Sequence, residues 1–395
     1  MKILALAYAC EPDKGSEHGA GWILTQMLAE LGEVWVVTRS SNRSSIEEAV
    51  GDVPTAARIH FEYVELPEWM RFWKKGTRGV RLYYLLWQIA ALRRMRRLHR
   101  KLKFDLVWHL TISNAWIGSV AAFVGPDFIY GPVGGGVRPP TRLVASLGFR
   151  GMVYELLRET ARLGSRFLNP LARASWRRAT VILAQNRETA RWFPRRYRGR
   201  VKVFQHAVVA APPYVHKQDT ECTHTAVIAA RFEPWKGISL AIRAVGETSQ
   251  WRLLIYGSGS DKKRLERLVR KRELGSRVHF RGQVPQEELF RVLAEEADAF
   301  LFPSLHDDAS MAVAEASVGG LPVICLDIGG PPLVAEGTGI AVDAAGSPSA
   351  VVRSLAEALQ RVEMTPASEK NPQDRLLLEN QLEILKDILK EALSR

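Results

Sequence analysis

Residues 302–332 read FPSLHDDASMAVAEASVGGLPVICLDIGGPP. The stretch opens at the end of an apolar run, Ala299–Phe302, that reads as a buried strand. A polar loop with His306, Asp307 and Asp308 follows, then a helix over Ser310–Val318 with Glu315 inside it. Gly319 and Gly320 stop that helix, because glycine adopts the left-handed backbone of a helix C-terminus at little steric cost. A second buried strand, Leu321–Leu326, leads to another glycine pair, Gly329 and Gly330. Asp307 and Glu315, eight positions apart, flank a strand-to-helix turn. In a parallel sheet such turns lie at the carboxyl ends of the strands, where ligands bind. The plain alternative for Glu315 is a solvated helix residue, but its neighbours Val313, Ala314 and Ala316 are apolar or small.

The same alternation extends upstream. Thr225–Ala230 reads as a strand, Arg231–Gly237 (RFEPWKG) as a loop and Ile238–Val245 as a helix. Arg231 and Lys236 would lie near the start of that helix, where an anion meets the positive end of the helix dipole. Two cations at a helix start suit a diphosphate; two surface charges are the alternative. Arg252–Tyr256 is a strand ending in a glycine turn, Gly257-Ser258-Gly259. Helices over Lys262–Lys271 and Pro285–Glu295 bracket a strand at Val278–Phe280, and Gln373–Leu393 closes the chain as a long amphipathic helix.

The first half has the same character. Ile3–Ala9 (ILALAYA) is a continuous apolar strand of the kind buried on both faces. It enters a glycine-rich turn at Gly15-Ser16-Glu17, then a helix over Ile23–Leu31 and a strand at Val34–Thr38. The turn would bring backbone N–H groups to an anion. The dinucleotide fingerprint G-x-G-x-x-G with an acid closing the second strand is absent, which argues against a redox enzyme. Further strands read at Ile59–Val64, Phe104–Leu110, Phe128–Gly131, Thr180–Ala184 and Val201–Phe204. The strand at Phe104–Leu110 carries His109, Thr111 and Ser113 to the carboxyl edge. Residues 141–178 read as helices. A polar, proline-containing stretch at 206–223 divides the chain into domains at 1–205 and 218–372, with a helix at 373–395.

Composition bounds the function. A chain of 395 residues with 47% hydrophobic and 25% charged residues reads as a soluble globular protein of two domains, α/β by its alternation of strands and helices. No apolar run reaches the ~18 residues of a membrane span, and the start lacks the pattern of a signal peptide. Cys10, Cys222 and Cys325 lie far apart in apolar surroundings, which reads as reduced core thiols in a cytoplasmic protein, with no metal site. The net charge is +13. Arg71–Lys103 alone holds twelve Lys and Arg and no acid, interleaved with Trp69, Phe72, Trp73, Tyr83, Tyr84 and Trp87. With no nucleic-acid-binding motif present, that segment points to an anionic membrane surface, a solvated helix face being the alternative.

Together these residues resemble family 4 glycosyltransferases of the GT-B fold. The resemblance rests on the Gly15-Ser16-Glu17 turn, Arg231 with Lys236-Gly237, Gly257-Ser258-Gly259, and Asp307 with Glu315 followed by Gly319-Gly320-Leu321-Pro322. Gly131–Gly136 (GPVGGG) is similar to a bacterial subset that builds surface polysaccharides or lipid-linked glycans. The resemblance implies two Rossmann-like domains facing a central cleft, with the last helix crossing back to the first domain. It implies a retaining, metal-independent transferase that needs no cofactor and moves a sugar from a nucleotide sugar to a glycan or lipid-linked acceptor. Arg231 and Lys236 would neutralise the leaving diphosphate, and Glu315 would bind the ribose hydroxyls. Asp307, with Asp308 beside it, would meet the donor sugar. Gly15, Ser16, Gly257, Gly329 and Gly330 would bring backbone donors near phosphate or sugar, and His109 is an acceptor-side candidate. The chain departs from the family in carrying Asp307 where Glu is usual, one methylene shorter. A sugar-nucleotide epimerase of the same fold and a non-catalytic nucleotide-sugar-binding module are the alternatives.

Overall fold

The computed structural model describes residues 1–395 except 13, 16, 72, 74–78, 113, 126, 210–223, 365–373 and 394–395. Ser16, Ser113, Cys222 and most of the linker at 206–223 therefore lie outside the described residues. The chain forms two compact units. The first comprises Met1–Gly136, Arg162–Val208 and Leu382–Arg395; the second comprises Val137–Ala161 and Val209–Gln381.

The first unit is built on seven parallel strands: β1 (Lys2–Leu6), β2 (Glu33–Arg39), β3 (Ile59–Val64), β4 (Leu106–His109), β5 (Asp127–Val133), β6 (Val181–Ala184) and β7 (Val201–Val203). Their order is β3-β2-β1-β4-β5-β6-β7, so the strand order reverses between β1 and β4 while every pair stays parallel. Four central residues of β1 are fully buried, as a strand covered on both faces requires. Helix α1 (Glu17–Leu31) joins β1 to β2. It starts at Glu17, two turns earlier than the sequence suggested, so most of the glycine-rich stretch is helix and not turn. The reason is close packing: a Cβ on Gly21 would lie 2.1 Å from the carbonyl oxygen of Ala9. Gly15, by contrast, has open space around it.

Helix α2 (Arg43–Ala49) follows β2, and α3 (Val80–Leu102) precedes β4. The aromatics interleaved with the basic segment divide by face. Tyr83, Tyr84 and Trp87 are buried in the core beside Tyr8, Phe128 and Trp176, whereas Trp69 is exposed. Arg93, Arg94, Arg96, Arg97 and Arg100 are exposed. Half of the aromatics that suggested a surface partner are thus core, and the outer face of α3 carries the arginines together with exposed Leu82, Leu85 and Ile89.

Helices α4 (Thr141–Val144), α5 (Gly148–Leu168) and α6 (Pro170–Arg178) follow β5. The sequence reading kept residues 137–161 in the first domain, but they belong to the second unit. Leu143 and Leu147 are buried in its core with Phe232, Ile238 and Leu305, which is a burial preference that composition does not reveal. Helix α7 (Arg187–Trp192), capped by Asn186, lies between β6 and β7.

The second unit carries six parallel strands: β8 (His224–Ala229), β9 (Trp251–Tyr256), β10 (Val278–Gly282), β11 (Ala299–Phe302), β12 (Val323–Leu326) and β13 (Gly339–Val342). Their order is β10-β9-β8-β11-β12-β13, with the reversal between β8 and β11. The helices are α8 (Ile238–Gly246), α9 (Lys262–Lys271), α10 (Gln286–Glu295), α11 (Met311–Val318), α12 (Pro331–Val334), α13 (Pro348–Met364) and α14 (Leu378–Leu393). The end of α14, from Leu382, groups with the first unit. Two parallel doubly wound sheets, each with its own core, are the two Rossmann-like domains of the GT-B class.

Candidate active site

In an open parallel sheet, the loops beyond the carboxyl ends of the strands diverge where the strand order reverses, and a ligand site forms there. In the second unit that place lies between β8 and β11, and four edge loops are tied together around it. The β8 loop holds the β9 turn: Phe232 N–H donates to the Ser258 carbonyl at 2.8 Å, and Asp261 N–H to the Phe232 carbonyl at 2.9 Å. The β11 loop holds the β8 loop, with Leu305 N–H donating to the Trp235 carbonyl at 2.8 Å. The β12 loop holds the β11 loop through Gly330 N–H to the Asp307 carbonyl at 2.9 Å.

Charge is placed on this frame. Lys236 Nζ donates to Asp307 Oδ2 at 2.7 Å, and the side chains are only 13% and 18% exposed. The same ammonium lies 5.1 Å from the centroid of the Phe302 ring, an added cation–π attraction. Arg231 is exposed on the same loop. Two residues that the sequence set far apart, one after β8 and one after β11, thus form one ion pair. The pair is partly shielded from water, so each charge gains more from the other than a fully exposed pair would.

Glu315 sits on α11, which starts at a cap where Ser310 Oγ accepts from Val313 N–H at 3.4 Å. The helix is apolar on every side, and Glu315 is 9% exposed. Burial pushes its carboxyl up to about 7, against the opposing pull of a hydrogen bond from Gln286 Nε2 to Oε1 at 2.8 Å. Gln286, on α10, is a site residue that the sequence reading missed.

The glycines of the edge fall into place on close approach. Gly329 has φ +73°, and a Cβ there would lie 2.2 Å from the Asp307 carbonyl oxygen. The corresponding clash for Gly330 is with the Asp308 carbonyl oxygen at 2.0 Å. These two glycines therefore seat the β11 loop. Gly257, at the end of β9, donates its N–H to the Gly282 carbonyl at 2.7 Å.

A second layer supports the loop from α5. His306 Nε2 lies 2.6 Å from Glu155 Oε1, and Glu155 is 4% exposed. Arg158 closes on Glu155 at 3.4 Å and donates to the Val137 carbonyl at 2.9 Å. Tyr154 stacks on Trp235 at 4.6 Å between ring centroids, and Trp235 stacks on His306 at 5.5 Å. Tyr154, Glu155, Arg158 and Trp235 were not singled out from sequence. For the three on α5 the one signal was a helix whose polar residues recur on a single face; Trp235 lies in the β8 loop.

The corresponding edge of the first unit is different in kind. His109 ends β4 and is 1% exposed. Burial pushes its imidazole down to about 4, so it is neutral at pH 7. Nε2 lies 2.9 Å from the Thr111 carbonyl and 3.1 Å from Tyr84 Oη. A carbonyl only accepts, so the consistent arrangement has the Nε2 proton donated to Thr111. Glu17, in the first turn of α1, accepts from Ile112 N–H at 3.0 Å and holds the left-handed backbone of Ile112, φ +53°. Gly15 is exposed and Ser16 lies outside the described residues. Among the described residues, no group of three or more His, Cys, Asp or Glu converges as metal ligands would.

Comparison with solved structures places the fold. HepE from Anabaena in complex with UDP superposes with a TM-score of 0.65 at 15% identity, covering 99% of this chain and 100% of that one. The lipopolysaccharide outer core galactosyltransferase WaaB gives 0.64 at 13% identity, with 99% of each chain covered. At such identities the likeness is one of fold. The O-antigen biosynthesis glycosyltransferase WclY of Escherichia coli is 32% identical over 93 residues, 24% of this chain and 26% of that protein. A 2-deoxystreptamine glucosyltransferase of Streptomyces kanamyceticus is 30% identical over 99 residues, 24% of this chain and 25% of that protein. The chain's match therefore spans about a quarter of the length of these curated relatives. Residues 218–373, which carry the ion pair, Glu315 and the glycine pairs, match the family model described as Glycosyl transferases group 1, and in sequence as in topology this part of the chain is similar to that family.

Proposed function

We propose that the protein is a retaining glycosyltransferase that moves a sugar from a nucleotide-sugar donor to a glycan or lipid-linked acceptor in surface polysaccharide or glycoconjugate synthesis. The observation that carries the reading is the Lys236–Asp307 pair at the strand-order reversal, with Glu315 on the next helix. A diphosphate entering this edge would take over the Lys236 ammonium and recruit Arg231, and Asp307, once released, would be free to accept from sugar hydroxyls. Cleavage of the glycosidic bond leaves negative charge on the diphosphate. Preorganised cations there stabilise the transition state more than the ground state, which is what raises the rate. Glu315 would accept from the ribose hydroxyls. A front-face displacement, in which the departing phosphate oxygen takes the acceptor's proton, needs no carboxylate nucleophile and no metal. HepE is described with UDP and UDP-glucose, which supports a nucleotide-sugar donor here. Neutral His109 would serve the acceptor side by hydrogen bonding. The basic face of α3 would draw the enzyme to an anionic surface on the cytoplasmic side.

The test is thermal shift against UDP-, GDP- and ADP-sugars, followed by NMR of the nucleotide sugar with and without acceptor glycans. Stabilisation by one donor, loss of that stabilisation in Lys236→Ala, and a product that keeps the donor's anomeric configuration would support the reading. Conversion of the nucleotide sugar without any acceptor would make the protein an epimerase. Binding without turnover of any acceptor or of water would make it a binding module.

A further inference from the structure

Helix α5 has two unlike faces. The inward face carries Tyr154, Glu155, Arg158 and buried Arg162. The outward face is apolar and open to water. Phe149 is 80% exposed, Leu156 68%, Leu157 66%, Phe167 71% and Leu168 81%, and Met152, Val153 and Leu163 are exposed beside them. These positions recur at three- and four-residue steps, so they form one stripe down 21 residues of helix. No other described segment exposes so many large apolar side chains together. A stripe of this size on a soluble protein marks a surface that something covers.

The charge around it selects the occupant. Thr141–Arg178 holds eight arginines and two glutamates, and both glutamates are engaged internally, Glu155 with His306 and Arg158, Glu159 with Arg138. Arg150, Arg173 and Arg177 are exposed. Two copies of so basic a face would repel one another, and the whole chain carries +13. An anionic lipid surface complements it: phosphate headgroups for the arginines, acyl chains for the stripe. No helix among the described residues is long and apolar enough to cross a membrane, so a helix of this type lies in the plane of the interface.

We infer that α5 docks flat on an anionic bilayer, with Phe149, Leu156, Leu157, Phe167 and Leu168 seated among the lipid chains and the arginines at the headgroups. This is a different surface from the basic face of α3, and it stands apart from the transfer chemistry because its test needs no turnover.

The experiment is flotation of the purified full chain with vesicles of phosphatidylcholine, with and without phosphatidylglycerol. The full chain is expected to float with the anionic vesicles and much less with neutral ones. Leu156→Glu/Leu157→Glu is expected to lower the bound fraction by about tenfold or more with an unchanged melting temperature. Leu156→Ser/Leu157→Ser, which adds no charge, should also lower it. Failure of the wild type to float overturns the inference. So does retention of binding by both variants, which would move the contact to α3. Equal binding to neutral vesicles overturns the arginine part. A dimer in sedimentation that the same substitutions dissolve, with no flotation, would make the stripe a self-interface and also overturns it.

Discussion

The strand order reverses in the same way in both sheets, yet their carboxyl edges are furnished oppositely. At the reversal between β8 and β11, side chains of opposite charge meet, and Glu315 waits near neutrality. At the reversal between β1 and β4, the side chain in the equivalent place is a neutral imidazole walled in by Tyr84 and Tyr130. Around His109 the first edge is aromatic and close-packed, its charges lying to the β2 side where Glu11 meets Arg39 and His18; the second is ionic at the reversal itself and laced loop to loop. A sheet topology supplies a place for chemistry but does not decide the chemistry, which depends on what the loops carry.

The sharpest way to break this contrast is to remove charge from the second edge. Lys236→Ala is expected to lower the transfer rate by roughly a hundred- to thousandfold, ~3–4 kcal/mol of transition-state stabilisation. If His109→Gln, with the fold intact by circular dichroism, costs as much, the contrast between the edges fails. The next largest effect concerns the seating of the β11 loop. Gly329→Ala forces a Cβ into the Asp307 carbonyl at a left-handed φ, and is expected to destabilise by about 1–3 kcal/mol in urea unfolding.

Glu315 offers a pH test. Its folded-state pKa is raised from 4.5 to about 7, so the folded protein holds the proton more tightly than the unfolded chain. Stability from this group is complete below about pH 4.5 and is lost as pH rises through 7, a change on the order of 3 kcal/mol. Glu315→Gln should flatten that part of the profile, read as the difference in melting temperature between the two proteins from pH 5 to 8. An unchanged difference across that range would show that Glu315 is already ionised in the fold. The smallest effect is the control. Gly15→Ala has open space and no left-handed backbone, so stability should change by less than about 0.5 kcal/mol. A large loss of donor binding in that variant would restore the first edge to the phosphate role read from its sequence.

Much of the fold was legible because burial leaves a period in the sequence. Ile3–Ala9 and Ala299–Phe302 are apolar without interruption, and both are central parallel strands. Glu315 was legible as buried from Val313, Ala314 and Ala316 around it. Three things were not. An aromatic among arginines carries no mark of which way it faces, so Tyr83, Tyr84 and Trp87 looked like surface and are core. A glycine carries no mark of what comes near it, so Gly15, which has open space, was singled out alongside Gly329, which is pressed against a carbonyl, while Gly21 was not. And the Glu155–His306 bond joins residues 151 positions apart, on a helix whose unit depends on where Leu143 and Leu147 are buried. Pairing at that range is a property of the assembled core and has no local signal.

The Lys236–Asp307 bond has one more consequence. Because the ammonium already has a partner, an anion binding here on the proposed reading would have to outbid a carboxylate held at 2.7 Å. Chloride, with one charge and no fixed geometry, offers less than the resident group. A multiply charged oxyanion that can also reach Arg231 offers more. On the proposed reading, the same partly buried bond would set a threshold that favours a multiply charged oxyanion over the small anions around the protein.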